Sequence, residues 1–244
     1  MAHHAALTFA DHAKLRVRRE RKAELGDAVM SCPLFPAEFR NAQAHYPILF
    51  ARTGPGGRTT AVALFGLEQG ENLFLSEEGW SASYIPLAMR IAPFLIGFAR
   101  EEDAHAGGPA QVHIDLDHPR VSQAHGEPVF LEGGLSAPVL EDAAEALGHA
   151  HQGATEMATL AGMLEALDLI EPLVLSVTLN DGSENRLVGF HAINEQKLNG
   201  LEAGDLHRLH RAGMLTPIFM AVAALGNIEK LASRKNRRRE ASLR

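Results

Sequence analysis

The chain has 244 residues, with 23 Lys plus Arg against 30 Asp plus Glu, a formal charge of −7, 13 His and one Cys. That length suits one large or two small domains, and 46% apolar with 22% charged residues reads as globular, neither disordered nor collagenous. Cys32, the single cysteine, excludes an intrachain disulfide and suits a reducing compartment.

The first 13 residues read as a flexible polar arm. They lack the apolar run of a secretory signal, so a cytoplasmic location is expected. A short strand over 14–17 follows. Over 36–46, Phe35, Phe39, Ala42 and Tyr46 recur at the 3.6-residue period and predict a helix closed by Pro47. Apolar runs at 48–51, 61–67 and 72–75, separated by RTGPGGR and EQGE, predict an antiparallel meander. GWSASYIPLAMRIAPFLIGFAR holds the only Trp and two prolines, predicting irregular structure and then a strand over 95–99. A Gly/Pro loop, AHAGGPA, leads to a strand over 111–116.

From 138 to 170 the apolar period is helical, with Gly148 and Gly153 expected to divide it into two helices. LVLSVTL-NDGSEN-RLVGFHAI is the best hairpin signal, two alternating runs around Asn180-Asp181-Gly182. Asn194 is expected to cap a short helix. Thr216 before Pro217 is expected to start a final helix to about Lys235, burying Phe219, Val222, Leu225, Ile228 and Leu231. The pattern predicts a single α+β domain over 14–236, a mostly antiparallel sheet of six or seven strands with packed helices, and a basic tail over 237–244.

The longest stretch without Asp, Glu, Lys or Arg covers residues 212–228 and is broken by Pro217, Gly226 and Asn227. It falls short of the ~20 apolar residues of a transmembrane helix, so no membrane span is expected. From Glu229 onward seven basic residues face two acids, a +5 tail on a −12 body. Such a tail could bind an anionic surface or nucleic acid. The acidic body makes nucleic acid an unfavoured partner.

The blocks PAEFRNAQAHYPILF, ALFGLEQGENLFL, GWSASYIPLAMRIAPFLIGF, HIDLDHPRVS, NDGSENRLVGFHAINEQKL and LHRAGMLTPIFMA, in this order, resemble the bacterial SapC family, named for a gene beside a surface-layer locus. The likeness runs from Leu15 to about Arg238. Members are often encoded beside flavin-dependent halogenase-like proteins, cupin-like proteins and TonB-dependent receptors. The resemblance therefore implies a surface-layer-associated, cytoplasmic accessory to uptake, peptide modification or envelope assembly. The transporter-permease label sometimes attached to the family requires several bilayer crossings, which this chain is not expected to make.

Two site readings follow from residues. Glu38, Arg40 and His45 on the predicted helix, followed by Asn72, Trp80, Tyr84 and Arg90, combine aromatic surface with a guanidinium able to fork onto a carboxylate. They are candidates for binding a small molecule or peptide without catalysis or cofactor. Alternatively, His113 and Asp115 lie on one face of a strand, and His191 on a later strand could complete a facial triad. That order resembles iron/2-oxoglutarate hydroxylases; Fe(II) and 2-oxoglutarate would be the cofactors, with Lys197 a candidate for the oxoacid carboxylate. Pairs such as His149 with His151 and His207 with His210 lack a third ligand nearby, and Cys32 has no helper and reads as a core residue. A homo-oligomer is compatible with all of these readings.

Overall fold

Backbone pairing, in a computed structural model that describes residues 3–53, 57–98 and 110–242, is antiparallel in every strand pair among them. In chain order the strands are β1 (His4–Ala6), β2 (Arg16–Val17), β3 (Ser31–Leu34), β4 (Ile48–Thr53), β5 (Arg58–Leu64), β6 (Leu75–Ser76), β7 (Gly79–Trp80), β8 (Phe94–Phe98), β9 (Ala110–Asp115), β10 (Val121–Ser122), β11 (Glu127–Pro128), β12 (Ile170–Thr178) and β13 (Glu184–Ile193). The α-helices are α1 (Phe9–His12), α2 (Phe39–Ala42), α3 (Leu87–Arg90), α4 (Pro138–Ala166), α5 (Glu195–Asn199), α6 (Ala203–Arg211), α7 (Leu215–Ala224) and α8 (Asn227–Ser242).

The α+β class expected from the sequence is the one adopted. The strands are divided among four sheets, ordered β1-β9-β8, β10-β2-β11, β6-β7 and β12-β13-β4-β5-β3, so the largest holds five strands where six or seven were expected together. Contacts group the chain into two compact units that interleave in sequence. The first comprises Met1–Ala28, Leu75–Trp80 and Leu87–Gln152; the second comprises Val29–Phe74, Ser81–Pro86 and Gly153–Arg244.

In the first unit β9 is central. Its fully buried Ile114 sits opposite Phe94 of β8 and Ala5 of β1. Leu15, Val17, Phe94, Ile114, Val129, Val139, Leu140 and Leu147 form the core. The arm expected to be flexible over 1–13 is, from His4 onward, an edge strand followed by a helical turn capped by Thr8. His-Ala-Ala has no alternation to announce a strand, because its pairing is made by backbone alone. Residues 1–2, 54–56 (within the expected turn-rich segment), 99–109 (with most of the expected Gly/Pro loop) and 243–244 lie outside the described residues.

In the second unit Ile48, Leu49 and Phe50 are all buried, so β4 is covered on both faces by its neighbours and by helices. The expected helix over 36–46 is a 3-10 turn, Pro36–Glu38, running into α2. Tyr46 below it meets Phe65 and Phe74 edge-on at 5.1 and 4.7 Å between ring centroids. The third strand of the meander is not the run at 72–75. Asn72 accepts from the Phe74 amide at 2.9 Å and bends the chain, and β3 takes the place beside β5. The hairpin at 170–193 and the Asn194 cap, which accepts from the Lys197 amide at 2.8 Å, form as the sequence indicates.

The final helix differs from expectation. It starts at Leu215 without a side-chain cap, so Thr216 lies inside it, and it breaks at Leu225–Gly226 before α8 runs on to Ser242. Ile218, Ala221 and Ala224 are buried, while Phe219, expected inside, is 52% exposed. The expectation that no segment could cross a bilayer is also corrected. Leu215–Ser242 is long and apolar enough by length and composition, with an 18-residue window of mean hydropathy 1.3. Counting only charge-free residues missed it, because a few charges within the window do not abolish its apolar average. A third of that window is buried.

α4 runs unbroken through the two glycines expected to divide it, because each serves or tolerates the helix. A Cβ on Gly153 would come within 2.7 Å of Phe35, whereas Cβ atoms on Gly148 and Gly162 would meet nothing within 4 Å. Gly148→Ala and Gly162→Ala should each stabilise the protein by about 0.5–1 kcal/mol through reduced unfolded-state entropy. Gly153→Ala should destabilise it by about 1–3 kcal/mol through overpacking. Urea unfolding midpoints of the three variants check the opposite signs.

Candidate functional site

The residues of β4 and β5 beyond their buried stretches are polar: Arg52 and Thr53 at the end of one, Arg58, Thr59 and Thr60 at the start of the other. The ladder between β13 and β4 has only two pairs, Phe190 with Ala51 and His191 with Phe50. It stops where Gly189 takes φ +86° and the β12–β13 register shifts between Leu173 and Leu175, a bulge that turns the hairpin aside. Arg52 and Thr53 thus continue past the end of their pairing with β13.

Beside them lies an open groove of about 1080 Å³. The C-terminal part of α4 forms one wall, and its Ala154, Ala158, Ala161 and Gly162 are small enough to leave the space free. Met157, Ala161 and Leu164 make an apolar floor. Arg52 and Arg58 stand on the strand side; Glu165 and Asp168 stand on the helix side, with half-buried His191 between β12 and β4. Thr59 Oγ1 donates to Glu165 Oε1 at 2.5 Å, and Lys197 pairs with Asp168, whose φ of +52° holds it in a left-handed turn after the helix. The groove is therefore polar at its rim, apolar at its base and of mixed charge.

The residues singled out from sequence are distributed differently. In the second unit Glu38 is buried; it accepts from the Phe35 amide at 3.0 Å and from the Tyr84 hydroxyl at 2.6 Å. His45 meets Ser83 Oγ at 2.7 Å, and burial, then the Arg234 and Lys230 charges, push its imidazole below the usual range. Those contacts hold the segment 81–86 against α2. Asn72 is a buried turn residue whose carbonyl accepts from Arg238. Arg40 is exposed and lines a smaller cleft with Met214, Pro217 and Met220. In the first unit Trp80 belongs to the β6–β7 ribbon opposite Leu75, and Arg90 lines an arginine-rich cavity.

His113 and Asp115 share β9 in the first unit, and His191 belongs to the second. Among the described residues no three His, Cys, Asp or Glu side chains are grouped to hold a metal ion. The His113 ring lies over Gly97, where a Cβ would approach to 2.2 Å, so this histidine is packed into its sheet. Burial, then the Glu38 carboxylate, push the Cys32 thiol well above its usual range, leaving it a protonated core group.

Sequence reading missed the groove. Arg52, Arg58, Glu165 and Asp168 carry no motif, and their only signal is a run of small residues along one side of a long helix.

The fold is α+β, with an open groove in the second unit. A family model described as SapC matches residues 7–231, and the chain belongs to that family. No curated protein and no solved structure matches the chain.

Proposed function

We propose that this SapC-family protein is a non-catalytic binding protein that holds an extended peptide segment along the groove of its second unit. The observation that carries this reading is the groove's shape and charge together. At about 1080 Å³ it slightly exceeds the 300–1,000 Å³ typical of small-molecule pockets, and it is open to solvent. Its walls carry opposite charges, Arg52 and Arg58 against Glu165 and Asp168, as a chain bearing both signs of side chain would require. The stretch of β4 beyond its β13 pairing offers backbone groups for an added strand, and the apolar floor gives alternate side chains a place to insert. An accessory role in peptide modification or envelope assembly, as the family resemblance implies, suits a protein that presents a peptide and leaves the chemistry to another.

A random dodecapeptide phage library panned against the full chain tests the reading. Enriched peptides should lose at least tenfold in affinity, read by fluorescence polarisation, against Gly162→Trp, which fills the groove from a position with open space. They should lose a similar amount against Arg58→Glu. Failure to enrich any sequence, or equal binding to both folded variants, would sink it.

A further inference from the structure

In the first unit a second cavity, about 70 Å³, is lined by five arginines from three separate parts of the chain. Arg18, Arg19 and Arg21 follow β2, Arg90 ends α3, Arg120 precedes β10, and α4 contributes Asp142 as the one acid in the wall. The deepest of them is fully engaged. Arg120 donates through Nη2 to Asp27 Oδ2 at 2.6 Å and through Nη1 to the carbonyls of Arg18 and Glu20 at 2.8 Å each. Arg21 donates to the same carboxylate at 3.3 Å and to the Met89 carbonyl at 2.7 Å. Two guanidiniums, with side chains 2% and 17% exposed, thus share one buried carboxylate and leave one positive charge over.

The remaining acids do not cancel that charge at depth. Arg19 reaches Asp142 at 3.0 Å and Glu127 at 3.5 Å, and Arg18 reaches Glu20 at 3.7 Å, but all three carboxylates are more than half exposed and solvent-screened. Arg90 has no ion pair or hydrogen bond among the described residues. Burial, and after it the charge of Arg120, make the Arg21 guanidinium less basic than usual, against the opposing pull of Asp27.

We propose that this cavity binds one oxyanion group, the carboxylate or phosphoryl end of a small ligand, with Arg90, Arg18 and Arg21 as its donors and Arg120–Asp27 as the fixed base that aims them. Guanidinium forks suit the planar and tetrahedral oxyanions equally. The volume takes a head group while the body of the ligand stays outside. The site lies wholly within the first unit and does not depend on the groove.

The test uses the full chain and two probes, inorganic phosphate and acetate, titrated by isothermal calorimetry at constant ionic strength. Saturable one-to-one binding of at least one probe is expected, weakened tenfold or more by Arg90→Glu and by Arg18→Glu. Arg90 is exposed, the Arg18 side chain is 30% exposed, and neither side chain bonds Asp27, so both variants should fold, which circular dichroism verifies. The stronger-bound probe identifies the group. No saturable binding of either probe, or binding unchanged in both variants, would overturn the assignment.

Discussion

Asp27→Asn should lower stability by about 3–5 kcal/mol, because among the described residues it is the one buried carboxylate that the Arg120 and Arg21 guanidiniums share. The Asp27 carboxylate, 2% exposed, accepts from Arg120 at 2.6 Å, from Arg21 at 3.3 Å and from the Lys22 amide at 2.8 Å. An asparagine there keeps the shape and loses the charge. Arg120→Met should cost less, since it removes one of the two cations and leaves Asp27 with Arg21 and the amide. The inequality follows from charge balance and not from a count of hydrogen bonds, which Arg120→Met reduces just as much. Urea unfolding of both variants at neutral pH decides it; equal losses would show that packing, and not the shared carboxylate, governs the cluster.

Lys235→Met should destabilise the second unit by about 2–3 kcal/mol, the scale of hydrogen bonds to a charged group. The Lys235 side chain is 3% exposed, and its Nζ donates to Glu68 Oε1 at 2.6 Å and Glu71 Oε2 at 3.3 Å. The loop that presents these acids is shaped around Gly66, where a Cβ would fall 2.3 Å from the Glu71 carbonyl oxygen. Neighbouring cations on α8 are partnered as well: Arg239 with Asp181 and Ser183, Arg238 with the Asn72 carbonyl, and Arg234 with Ser81 and the face of Phe74. The expected basic tail is, up to Ser242, a helix whose Lys235 and Arg239 are ion-paired and whose Arg234 and Arg238 bond neutral groups.

Acid should undo the same docking. Hydrogen bonds from Lys235 and Asn185 hold the Glu68 carboxyl below its usual range. A depressed folded-state value means the contribution is present above the unfolded value, near 4.3, and is lost as pH falls further. Hydrogen-exchange protection factors along α8, which allow for the slower intrinsic exchange at low pH, should fall over that window in the wild type and respond less in Lys235→Met.

Local features were readable from the chain and long-range ones were not. The hairpin at 170–193 is visible because its turn and both alternating strands are contiguous, and Asn194 because a cap acts over three residues. Gly153 misled because propensity treats glycine as a helix breaker, whereas here its missing side chain admits Phe35 from more than a hundred residues away. No motif links Arg18, Arg19 and Arg21 to Arg90 and Arg120; only folding brings them to one cavity. Glu38 and Tyr84, singled out as ligand contacts, do come together, and they bind each other.

What the sequence determined by itself was the α+β class, the SapC family and the exclusion of an intrachain disulfide, all of which rest on composition, period or ordered blocks along the chain. The tertiary structure decided which charges are buried together, where the β13–β4 ladder ends, and which apolar residues of the last helices face inward. Those depend on closing contacts between distant segments, whose partners are selected by packing and desolvation and leave no periodic trace in either segment.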